Sequence, residues 1–148
     1  MNYKFILIFI LILSGCSYEP TLQNKKYNFS FDSISHEGEE NINEIVKSNL
    51  SKKTSGIKKY DINFSTKKGR EVISSNAKGD PTIYKLKIYL YYVVFKDGEE
   101  FLKDTIEKQT TYNNITDKFE LNKFENNILN SISENISEEI LIAIISRE

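Results

Sequence analysis

The stretch from Thr82 to Phe95, TIYKLKIYLYYVVF, limits what this chain can fold into more than any other. At the two-residue period of a strand it places Tyr84, Leu86, Ile88, Leu90, Tyr92 and Val94 on one face, an unbroken apolar row that reads as a core face. The opposite face begins with Lys85 and Lys87 and continues as Tyr89, Tyr91, Val93 and Phe95. A strand that is apolar throughout on one side and aromatic along half of the other is expected near the centre of its sheet. Its second face then has something besides water to touch.

Other segments group themselves around that strand. Tyr27, Phe29 and Phe31 alternate with Asn28, Ser30 and Asp32, predicting a half-buried strand from Tyr27 to about Ser35. His36-Glu37-Gly38 reads as the break after it. The chain's single histidine lies in that break, and with no cysteine or second histidine to join it a metal site is not expected.

Glu39 to Lys53 carries Ile42, Ile45, Val46, Asn49 and Leu50 at helical spacing, acidic residues at its start and Lys52-Lys53 at its end. This is a helix whose charges complement its dipole and which Gly56 is expected to stop. A strand follows from Lys58 to about Asn76. Lys67-Lys68-Gly69 interrupts its alternation and reads either as a turn or, preferably, as a bulge in one long strand.

Ala77-Lys78-Gly79-Asp80-Pro81 forms the turn into the central strand, and Asp97-Gly98 is a hairpin signal. Glu100 to Tyr112, with its poor alternation, reads as an edge strand. From Asp117 to Ser146 runs a long amphipathic helix with Leu121, Phe124, Ile128, Leu129, Ile132, Ile136, Ile140 and Ile144 on its apolar stripe, while Asn, Ser and Glu fill the other side. The order β-α-β-β-β-α predicts a two-layer α+β sandwich: a four-stranded, mostly antiparallel sheet with two helices on one face.

The first residues bear on the compartment. Lys4 precedes the apolar run Phe5 to Leu13, far shorter than the roughly 20 residues that span a bilayer core, so residues 1–15 read as a signal peptide. Leu13-Ser14-Gly15-Cys16 resembles the bacterial lipobox, whose cysteine is acylated and becomes the mature N-terminus. An ordinary leader followed by a free thiol is the plainer alternative. A lone cysteine at the end of the apolar run, with the two small residues Ser14 and Gly15 before it, argues against it. Residues 16–26 read as a lipidated tether kept out of helix by Pro20, and residues 27–148 as a single α+β domain. Ser17 after the cysteine, where aspartate is associated with inner-membrane retention, favours the periplasmic face of the outer membrane.

Function classes can also be excluded. Twenty Lys and Arg against 21 Asp and Glu leave no basic field for nucleic acid. No phosphate loop, Ser-His-Asp set or Cys-His pair is present, and Glu39-Glu40, Glu99-Glu100 and Glu138-Glu139 read as solvated charge, so no catalytic residue, cofactor or enzymatic activity is expected.

The lipobox, Tyr18 and Pro20 after it, Gly79-x-x-x-x-Tyr84 leading into a long strand, the hairpin, Thr111-Tyr112-Asn113 and the closing amphipathic helix together resemble the LptE family of lipopolysaccharide-assembly lipoproteins. The resemblance covers nearly the whole mature chain and is densest from Lys78 to Ala143. It departs at Ser17, where many relatives have glycine. It implies a non-enzymatic subunit that plugs a large outer-membrane β-barrel, helps it assemble and contacts lipopolysaccharide during insertion. On that reading Tyr89, Tyr91, Val93 and Phe95 face the barrel. Lys78, Lys85 and Lys87 either gather lipopolysaccharide phosphates, as the resemblance implies, or are ordinary surface lysines. The alternative from another class is a periplasmic ligand-binding or transport-auxiliary lipoprotein, which a deep apolar pocket between sheet and helices would favour.

Overall fold

A computed structural model describes residues 26–148. The leader, Cys16 and the tether to residue 25 lie outside the described residues. The order is β1 (Tyr27–Gly38), α1 (Glu40–Lys53), β2 (Thr54–Ser75), β3 (Pro81–Lys96), β4 (Glu99–Asn113) and α2 (Lys118–Arg147). The strands form one sheet in the order β1-β2-β3-β4. It is mixed: β1 and β2 are parallel across the α1 crossover, whereas β2-β3 and β3-β4 are antiparallel. The β-α-β-β-β-α sandwich expected from the sequence is therefore present.

β3 behaves as its pattern requires. Tyr84, Leu86, Ile88, Leu90, Tyr92 and Val94 are all buried, in one core with Ile42, Val46 and Leu50 of α1 and Leu129, Ile136, Ile140 and Ile144 of α2. Both helices thus cover the same face of the sheet. The hairpin from β3 to β4 closes through Asp97 and Gly98, both at positive φ (54° and 84°), as two-residue hairpin turns demand. Asp117 caps α2 by accepting hydrogen bonds from the N–H groups of Phe119 and Glu120.

Several boundaries differ from the expectation, each for a physical reason. β1 continues through His36 to Gly38, because its parallel register with β2 runs on to the pair Gly38↔Thr66. Polar residues disguised this end. Gly56 does not stop α1. The helix ends at Lys53, Thr54 starts β2, and the Thr54 hydroxyl donates to the Leu50 carbonyl at 2.8 Å. Gly56 lies inside β2, where a Cβ would come within 2.2 Å of the Asn28 backbone, so glycine is needed there for strand approach. β2 is one long strand, but the ladder passes Lys67, Lys68 and Gly69 without a shift, and its irregularity falls between Val72 and Ser75.

On α2, Phe124 is 43% exposed although it lies on the predicted stripe, whereas Leu141, Ser133 and Ser137 are buried. Ser137 donates to the Ser133 carbonyl at 2.7 Å, which satisfies its hydroxyl within the helix.

β2 is much longer than β1. Beyond Thr66, the segment from Lys67 to Ser75 pairs with β3 on one side and, among the described residues, with no strand on the other.

Three carboxylates fasten α2 to the rest of the fold, and each receives a tyrosine hydroxyl and a cation. Glu125 accepts from Tyr112 at 2.6 Å and from Arg70 at 2.9 Å. Glu138 accepts from Tyr27 and from Lys53 at 2.7 Å. Glu148 accepts from Tyr60 at 2.6 Å and from Lys58 at 2.9 Å. Glu138, expected to be solvated, is instead largely covered, its side chain 14% exposed.

These contacts carry a pH dependence. Burial, then the Glu148 hydrogen bond, push the Tyr60 phenol up to about 12 from an ordinary 10.0, and burial does the same to Tyr92. Tyr27 and Tyr112 are pushed up further, by burial and by Glu138 and Glu125 respectively. A phenol whose folded pKa is raised contributes stability that is whole below the unfolded value and is lost as pH rises through the folded one. Melting temperature should therefore hold up to about pH 10 and fall steeply toward pH 12. Phenolate absorbance followed with circular dichroism checks this: all tyrosines ionising near pH 10 in a domain that stays folded would contradict it.

Candidate interaction face

The face of the sheet turned away from the helices is built on β3. Because Leu90 and Tyr92 point inward, Tyr89, Tyr91, Val93 and Phe95 must point outward. Tyr89 is 37% and Tyr91 46% exposed; Val93 and Phe95 are half-buried. The neighbouring strands explain the gradient. Tyr91 lies between Ser65 on β2 and Thr105 on β4, too short to cover a phenol ring, whereas Tyr89 lies between Lys67 and Glu107, and Val93 between Asn63 and Lys103. The result is an apolar, aromatic column flanked by small polar and charged residues. Beside it is an open depression of about 370 Å³, lined by Ser35, Glu37, Asn63, Ser65, Tyr91 and Val93 among others.

A surface of this kind suits a protein partner, since tyrosine combines a flat apolar body with a hydroxyl that can still be satisfied at an interface. On the opposite side of the sheet the middle of the layer is filled: Ile62, Ile88, Leu90, Val94, Ile136, Ile140 and Leu141 there are all completely buried. An open depression of about 500 Å³ lies at its end, lined by Ile83, Tyr112, Ile115 and Phe124 among others.

The three lysines are placed unequally. Lys85 and Lys87 share the outer face two residues apart, at the end of β3 nearer the turn. Lys87 is held by Glu71 at 2.9 Å, and Glu71 lies directly across from Lys85. Lys78 is exposed in the turn that Asn76 organises, its backbone N–H donating to Asn76 Oδ1 at 2.9 Å. An anion approaching Lys87 must therefore compete with a carboxylate already in place.

His36, expected to be a solvated loop residue, is a strand residue stacked on Phe64, with ring centroids 5.6 Å apart. Glu40 and Glu44 of α1 lie close to it, an arrangement that counting only cysteine and histidine could not reveal.

No family model matches the sequence, and no curated protein matches it. Solved structures do. The chain is similar to rare lipoprotein B from Shewanella oneidensis, with a TM-score of 0.59 at 14% identity over 78% of this chain and 95% of that one. It is similar to an uncharacterized lipoprotein B from Nitrosomonas europaea (TM-score 0.58, 12% identity, 81% and 86% covered). A minor lipoprotein from Acinetobacter baumannii also matches (TM-score 0.52, 13% identity, 75% and 91% covered). The class defined is thus a two-layer α+β fold shared with these bacterial lipoproteins. Among the described residues no helix is long and apolar enough to cross a membrane.

Proposed function

We propose that this protein is a non-enzymatic lipoprotein of the LptE kind, anchored through Cys16 at the periplasmic face of the outer membrane. In this reading it plugs and helps assemble the lipopolysaccharide-translocating β-barrel and assists lipopolysaccharide insertion in the outer leaflet. The observation that carries the reading is the aromatic column of β3, exposed on a sheet whose other face is filled through its middle. Small-ligand carriage, the alternative, would need a deep apolar pocket between sheet and helices; the middle of that layer is occupied by completely buried side chains, and the depression at its Phe124 end is open.

Replacing Tyr89 and Tyr91 together with aspartate should abolish co-purification with the barrel from the outer membrane while circular dichroism and melting temperature stay near wild type. Both side chains are already partly in water, so the substitutions remove a contact surface and bury no charge. A folded double variant that still brings down the barrel would place the interface elsewhere.

For the lysines, the triple Lys78→Glu, Lys85→Glu, Lys87→Glu variant should bind phosphorylated lipid A more weakly than the wild type. Equal affinities would reduce all three to ordinary surface charge.

A further inference from the structure

At the end of β1 the chain turns back on itself within three residues. Gly38, at φ +103°, lets the backbone pass against the Thr66 carbonyl. The Glu39 N–H then donates to Thr66 Oγ1 at 3.0 Å, and the Thr66 hydroxyl donates to Asn43 Oδ1 at 2.6 Å. The first turns of α1 are thereby tied to the sheet. This return carries Glu40 and Glu44, one helical turn apart, to the His36 ring.

One ligand atom from each of the three residues lies within 4.8 Å of the others. His36 Nε2 is 3.7 Å from Glu44 Oε1. The imidazole is held by its stacking on Phe64 and is 16% exposed, whereas both carboxylates are exposed and can swing.

We infer that His36, Glu40 and Glu44 form a site for a first-row divalent transition-metal ion, with zinc as its representative. A neutral imidazole and two carboxylates carry two negative charges, which such an ion cancels. Ligands about 2.0–2.2 Å from a tetrahedral centre stand about 3.3–3.6 Å apart. His36 and Glu44 are close to that separation, and Glu40 reaches it by rotating an exposed side chain. Water takes the fourth position. The ring nitrogen selects against calcium and magnesium, which prefer all-oxygen shells. Two features hold the affinity down: the positive end of α1, and Lys68, which pairs with Glu39 at 3.6 Å beside the site. Binding in the micromolar range is expected.

The test is a zinc titration of the full chain, untagged and in detergent, near neutral pH. Because the chain has one histidine, every imidazole resonance in a proton–nitrogen spectrum belongs to His36. The expected result is uptake of one equivalent, with those resonances moving in step. His36→Gln and Glu44→Gln should each weaken binding by roughly tenfold or more, Cys16→Ala should leave it unchanged, and excess calcium should not compete. Zinc uptake that leaves the imidazole resonances still, or that survives Glu44→Gln intact, would overturn the site. Displacement by calcium would overturn the class of ion. Should His36→Gln fail to fold, Glu44→Gln keeps the test decisive, since that side chain is 58% exposed.

Discussion

Leu90→Asp should leave no folded domain at ordinary temperatures. Leu90 is completely buried at the middle of β3, facing α1 and α2 in the shared core. Removing its side chain forfeits about 1.5–3 kcal/mol of apolar burial, and a carboxylate with no partner there costs several more. The sum rivals the roughly 5–15 kcal/mol that holds an ordinary domain together. Far-UV circular dichroism and a thermal melt check this. One residue away on either side, Tyr89 and Tyr91 face the other way, and their aspartate variants should melt as the wild type does. If the three substitutions unfolded the domain equally, the outer face would be packed against something within the protein, and the distinction between its two faces would be lost.

Gly38→Ala should be among the most damaging single-methyl changes in the fold, with Gly56→Ala, since both put a Cβ into backbone of the neighbouring strand. A Cβ at Gly38 would stand 2.1 Å from the Thr66 carbonyl oxygen, a backbone atom with no freedom to retreat while β1 and β2 stay paired. The backbone at φ +103° is also closed to alanine without strain, worth on the order of 1–3 kcal/mol by itself. Gly79→Ala is the matched control. Gly79 too has positive φ, 87°, but a Cβ there meets nothing within 4 Å, so only the conformational cost applies. Melting temperature should fall by roughly 10 °C or more for Gly38→Ala and by a few degrees for Gly79→Ala. Equal losses would mean that the Thr66 contact is unimportant and conformation alone matters.

What could be read in the sequence was whatever repeats locally. β3 shows its core row because six alternate positions are apolar without exception. The Asp97-Gly98 turn and the Asp117 cap are legible because each depends on residues within three positions of one another. The layer architecture followed from the order of such elements. By contrast, the end of β1 at His36-Glu37-Gly38 looks like a loop, since its strand conformation comes from pairing with Phe64, Ser65 and Thr66, nearly thirty residues away. Gly56 resembles a helix stop in sequence, and only the closeness of Asn28 reveals its role.

The same holds for the sites. The outward position of Tyr89, Tyr91, Val93 and Phe95 follows from alternation alone. The pairing of Lys87 with Glu71, the clasps at Glu125, Glu138 and Glu148, and the approach of Glu40 and Glu44 to His36 all depend on chain returns that local patterning does not encode.

The unequal lengths of β1 and β2 have a consequence for how this protein lives among others. Among the described residues the sheet is three strands wide past Thr66, and the outer border of β2 there presents backbone donors and acceptors that an extended polypeptide could adopt as a template. Yet four of the five residues from Lys67 to Glu71 are charged, and a second strand laid beside that part would have to accommodate the row, whereas Val72 and Ile73 beyond it are exposed and apolar. Toward other incompletely folded chains the charged part of such a border is repellent where an apolar one would be adhesive. Gly38 decides how long that border is, because it sets the point at which β1 leaves the sheet.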